Sequence, residues 1–90
     1  MLLETTLQGK KIIFEVIPLY NDKEERILFF IQHIGGASMI AEKRNPGGEW
    51  VQLRGGEFAF NFNRCVYEAI DNTNFMALMQ EAIPFDSFSG

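Results

Sequence analysis

The stretch RILFFIQHIGGASMIAEKR, residues 26–44, decides how this chain can fold. A strand with one wet face alternates apolar with polar side chains, because successive residues point to opposite faces. Here Ile27, Phe29 and Ile31 hold one parity while Leu28, Phe30 and Ile34 hold the other. Such a strand needs cover on both faces and belongs inside a sheet. Gly35-Gly36 can supply both positive-φ positions of a type I′ turn, which returns residues 37–44 as the antiparallel neighbour.

The pattern extends outward in both directions. Residues 2–8, LLETTLQ, and 11–19, KIIFEVIPL, flank Gly9-Lys10, whose glycine fits the first central position of a type II′ turn. That turn sets Leu7 opposite Ile12, Thr5 opposite Phe14 and Leu3 opposite Val16. It also sets Glu4 across from Glu15, a mildly repulsive pair unless the register slips. Pro18 lacks a ladder donor, so the second strand is expected to be interrupted there or to turn that position outward. Residues 20–25, YNDKEE, read as an exposed connection, and Pro46-Gly47 as the centre of a type II turn leading to a short strand over 50–54.

Beyond Gly55-Gly56 the period changes. Phe58, Phe60 and Phe62 alternate as a strand would, yet Phe62, Val66, Ala69 and Ile70 mark one helix face. The spacing predicts a helix over 62–71, with Asn61 as N-cap and Phe60 and Cys65 as a hydrophobic staple. DNTN, residues 71–74, breaks it, and Phe75, Leu78, Met79 and Ala82 mark a second short helix that Pro84 ends. The tail is expected to fray, with Phe85 and Phe88 able to dock. The fold class is therefore α+β: one domain over 1–90, an antiparallel β-meander of about five strands, and one or two short C-terminal helices packed on one face.

Composition narrows the function. A formal charge of −4, from 12 acidic and 8 basic side chains, opposes the electrostatic attraction on which nucleic-acid binding rests. A single cysteine, Cys65, allows no internal disulfide, which fits a reducing compartment; with no apolar run near the roughly 20 residues of a membrane span and no signal-peptide core after Met1, the expectation is a cytoplasmic protein that neither enters membranes nor binds nucleic acid.

Chemistry-bearing motifs are scarce. RGGEFAFNF, residues 54–62, resembles the aromatic strand motif of RNA-recognition domains, in which aromatics stack on bases. It departs from it by two residues inserted between Gly55 and Phe58 and by Asn61 at an aliphatic position, and a hairpin stands where that fold has its first helix. Core-packing phenylalanines are the better reading. His33 and Cys65 are the sole histidine and cysteine, too few for a zinc site and linked by no spacing that would make a catalytic dyad. The paired glycines lack a following GK[ST] and read as turns, with at most a weak anion site near residues 55–62. No cofactor is implied, and catalysis is the weaker branch.

What remains is an excess of apolar strand surface. The helix-covered face is expected to carry Leu3, Leu7, Ile12, Phe14, Val16, Ile27, Phe29, Ile31 and Ile40, and the other face Ile13, Ile17, Leu28, Phe30, Ile34, Met39 and Ala41. Leaving five such side chains wet forgoes about 7 to 15 kcal/mol, as much as the net stability of a typical domain. The leading expectation is thus a non-catalytic interaction module that forms a homodimer, or docks another protein, through Ile13, Ile17, Leu28, Phe30, Ile34 and Met39. The alternative is a small-ligand-binding protein or enzyme with an aromatic pocket lined by Phe14, Phe29, Trp50 and Phe62 between a curled sheet and the helices.

Overall fold

The computed structural model describes residues 1–21, 23–24, 26–34, 36–44, 48–55 and 60–87. Five antiparallel strands follow one another in sequence and in space: β1 (Leu2–Leu7), β2 (Lys10–Asn21), β3 (Arg26–His33), β4 (Ser38–Arg44) and β5 (Glu49–Gly55). Helices α1 (Phe60–Asp71) and α2 (Phe75–Met79) come next and pack on one face, giving the α+β class. A sixth strand, β6 (Ile83–Pro84), and a 3₁₀ turn over Phe85–Ser87 were not foreseen. The Pro46-Gly47 turn, Gly56, Phe58 and Phe88 lie outside the described residues.

In the first hairpin Gln8 (φ 52°) and Gly9 (φ 78°) both take positive φ, so the turn is Gln8-Gly9 and not Gly9-Lys10. The register moves by two residues, pairing Leu7 with Lys10, Thr5 with Ile12 and Leu3 with Phe14. A shift of two leaves every side chain on its expected face. It also removes the Glu4–Glu15 opposition: Glu4 now faces Ile13, and its carboxylate meets Lys11 Nζ at 3.2 Å. Relief of that repulsion and the new cross-strand pair help offset the left-handed backbone at Gln8, which costs a non-glycine residue roughly 1–2 kcal/mol.

The second hairpin slips by one residue, with larger consequences. Gln32 pairs with Ser38 and Ile31 with Met39, so the connection spans 33–37 and closes through His33 N–H to Ala37 O (3.1 Å) and Gly36 N–H to His33 O (3.1 Å). An odd shift exchanges the faces of the whole strand. Met39 and Ala41 therefore join Phe29 and Ile31 in the helix-covered core, and Ile40 moves to the other face beside Leu28. The expected placement of Met39 on the free face is corrected: it is only 2% exposed. The exchange seats two close-fitting side chains, Met39 and Ala41, under α1.

Pro18 is buried in mid-strand without breaking β2. Mutual hydrogen bonds between Met1 and Val16 (both 2.9 Å) show that even-numbered residues of β2 turn their amides toward β1, so the Pro18 nitrogen faces that edge. There β1 has ended and β6 begins, pairing in parallel with Leu19 and Tyr20. The proline sits at the seam, where its missing N–H leaves no bond unmade.

Helix α1 begins two residues earlier than expected, so Asn61 is its second residue and not its cap, and the aromatic run ends in a helix, not a strand. Val66 and Ile70 are buried, with Phe62, Tyr67 and Ala69 packed around them. The DNTN break stands: Thr73 Oγ1 donates to Ala69 O (2.8 Å), and Asn74 Oδ1 caps α2 by accepting from Ala77 N–H (3.0 Å). In α2 only Leu78 is buried, while Phe75, expected on the same stripe, is 57% exposed.

The tail does not simply fray. Ile83 and Phe85 pack with Ile17 and Phe30 around a second cluster of Leu19, Leu28 and Ile40, covering part of the face that the helices leave open. The one-residue slip is directly testable by urea denaturation. Met39→Ala should cost roughly 2–5 kcal/mol, as for a buried methionine, while Ile34→Ala, 55% exposed, should fall within about 0.5 kcal/mol of wild type. The register expected from a Gly35-Gly36 turn places both side chains on the free face and would make the two costs similar.

Candidate functional site

Trp50 organises the open end of the helix-covered face. Its ring lies parallel to Tyr67 of α1 (centroids 4.7 Å apart, interplanar angle 3°) and tilted against Phe29 of β3 (5.2 Å, 54°). One helical turn beyond Tyr67, Asp71 accepts from Trp50 Nε1–H (3.2 and 3.3 Å) and from Lys43 Nζ (2.7 Å). Lys43 is the register partner of Trp50 across β4 and β5, so a single carboxylate ties two strands to the end of α1. A carboxylate there opposes the helix dipole, and the Lys43 ammonium compensates.

Beside this arrangement opens a cleft of about 620 Å³. Its apolar wall comprises Ile27, Phe29, Trp50, Ile70, Phe75 and Leu78, and its polar groups are Arg26, Glu42, Lys43, Asp71 and Thr73. The volume lies inside the range of small-molecule pockets, and the lining matches their usual composition of aromatic surface with a few convergent polar groups. Arg26 grips Glu42 with two bonds, Nε to Oε2 (2.6 Å) and Nη2 to Oε1 (3.0 Å), and also reaches Glu24 (3.0 Å). Those bonds, with Glu42 the larger influence, hold the guanidinium pKa above its ordinary value. With Lys43–Asp71, both cations of the polar wall are engaged by carboxylates, Arg26 by two of them.

The residues expected to share a pocket are divided. Phe29 and Trp50 line the cleft; Phe14 is fully buried in the core below, and Phe62 packs edge-on against His33 (5.5 Å), away from the cleft lining. Of the residues expected on the free face, Leu28 is buried, Ile17 and Phe30 are half-buried against the tail, and Ile13 and Ile34 are 39% and 55% exposed. His33 and Cys65 share no hydrogen bond, and no cluster of metal-binding side chains occurs among the described residues. The stretch 55–62 considered for an anion includes residues 56–59, which lie outside the described residues. No helix among them is long and apolar enough to cross a membrane.

Sequence reasoning missed the two ion pairs. The expected β3–β4 register put Lys43 on the free face and Glu42 on the helix side; shifted by one, Lys43 reaches Asp71 and Glu42 reaches Arg26. Asn63, on the far side of the Trp50–Tyr67 stack, donates to Gln52 Oε1 (3.1 Å), while its own Oδ1 is buried with no donor.

The chain matches no protein-family model, and comparisons with curated proteins and with solved structures likewise find no match, so the site is read from its own chemistry.

Tyr67 supplies a check on this packing. Burial raises its phenol pKa above the ordinary 10.0 by penalising the charged form. Since the folded value exceeds the unfolded one, this stabilisation is complete below about pH 10 and declines as pH rises from there through the folded value. Chemical denaturation across that window should show a loss of stability that Tyr67→Phe reduces. An unchanged slope in the variant would mean that Tyr67 is not held against Trp50 as described.

Proposed function

We propose that this protein is a non-catalytic binding module whose cleft accepts a small, uncharged and largely aromatic or apolar ligand. The observation that carries the reading is the 620 Å³ cleft floored by Phe29 and Trp50. Aromatic walls favour a planar apolar body, by stacking and by removing it from water. Both lining cations are already paired, so an anionic ligand competes with Asp71 for Lys43 or with Glu42 and Glu24 for Arg26. Thr73 and the rim of Lys43 and Asp71 offer orienting hydrogen bonds instead. Neither His33 nor Cys65 lines the cleft, and both lining carboxylates are already engaged by cations, which favours binding over acid–base chemistry.

The second reading, docking of a protein on the outer sheet face, rests on Leu2, Ile13 and Ile34, which remain exposed after the tail has covered Leu28 and its neighbours. A few side chains are a small patch beside the roughly 800 Å² per partner of a stable interface. The cleft is the better-supported site.

Trp50 is the sole tryptophan, so its fluorescence reports on ligands bound against this one ring, and the methyl resonances of Ile27 and Ile70 place them in the cleft. Titration with uncharged aromatic fragments such as substituted naphthalenes should shift Trp50 emission and the methyl resonances of Ile27 and Ile70. Phe75→Glu, at an exposed position of the rim, should weaken that binding by about tenfold or more, or roughly 1.4 kcal/mol, without unfolding the protein. Fragments that perturb Ile13 and Ile34 while leaving Trp50 unchanged would transfer the function to the outer face.

A further inference from the structure

The two edges of the sheet are not equivalent. On β5 a bulge opposite Ile40 and Ala41 inserts Leu53, and such irregularity discourages another strand from joining. Strand β1 has no such irregularity: LLETTL contains no proline, glycine or bulge, and among the described residues it is paired with a strand on one side only, with α1 lying close to it. Its one charge, Glu4, is already engaged by Lys11.

We infer that two copies of the chain pair antiparallel along their β1 edges, about a two-fold axis at Thr5. The backbone sets the register. Met1 and Val16 exchange both of their hydrogen bonds, so Leu3, Thr5 and Leu7 likewise direct their amides at β2, while Leu2, Glu4 and Thr6 direct theirs outward. An antiparallel neighbour must oppose outward residues to outward residues. An axis at Glu4 satisfies this but stacks Glu4 on itself, an axis at Leu3 pairs only residues 2–4 of the strand, and an axis at Thr6 runs the strand into its own Gln8-Gly9 turn. The Thr5 axis avoids all three. It sets Glu4 against the partner's Thr6, Leu3 against the partner's Leu7, and Thr5 against the partner's Thr5, which are favourable cross-strand neighbours. Leu3 and Leu7 are half-buried at the margin of the helix-covered core, and the pairing completes their cover. So short a ribbon buries much less than the about 800 Å² per partner of stable dimers, so the association is weak and concentration-dependent.

The test does not depend on the ligand proposal. Sedimentation velocity of the full chain should show reversible dimerisation, and Glu4→Pro should abolish it with the circular dichroism spectrum retained, because the lost N–H points away from β2. In a Cys65→Ser background, Thr5→Cys should oxidise to a covalent dimer, since the axis brings its Cβ beside that of its own copy, while Glu4→Cys should form no covalent dimer. A wild-type protein that stays monomeric up to about 1 mM, or preferential cross-linking of Glu4→Cys, would overturn the proposal. So would dimerisation that survives Glu4→Pro but is lost in Ile34→Glu, which would assign self-association to the outer face.

Discussion

The constraint on which this structure depends is a central strand that tolerates water on neither side. Leu28, Phe29, Phe30 and Ile31 follow one another in β3, so successive side chains drive burial in opposite directions. The chain answers with two unequal clusters. Phe29 and Ile31 anchor the larger, beneath α1 and α2, whereas Leu28 belongs to a smaller one that the segment around Ile83 and Phe85 helps to close. Neighbouring strands take their places according to which cluster they serve.

The cleft is a by-product of the same arrangement. Helix α1 stops at Asp71, where DNTN cannot continue it, and α2 is too short to extend the cover over the ends of β3, β4 and β5. Phe29 and Trp50 are left as the floor of a recess, and Asp71 fastens its side wall to Lys43 and the indole N–H. A longer helix would have filled the space. The sequence that breaks the helix therefore also creates the site.

The order of elements and the meander topology could be read from periodicity, because alternation in residues 2–19 and the three-to-four spacing in residues 62–70 are strong, local signals. Register was harder, and the two hairpins show why. In the first, an error of two residues did no damage, since parity survived; in the second, an error of one exchanged Met39 for Ile40 and hid both ion pairs of the cleft. The glycines of residues 35–36 suggested a two-residue turn, but packing of Met39 and Ala41 beneath the helix outweighs turn preference. Strand β6 could not be anticipated from a dipeptide with no pattern of its own. It takes the length of the β2 edge beyond Pro18 that β1 does not reach.

That seam joins residues far apart along the chain, Leu19 with Ile83 and Tyr20 with Pro84. Contacts of such long range form late, since the loop between them must close before they gain anything. During synthesis the meander can assemble while Leu19, Leu28 and Ile40 still lie bare, and they stay so until residues 83–85 emerge and seat themselves. The outer cluster is thus closed by the segment that is made last among the described residues.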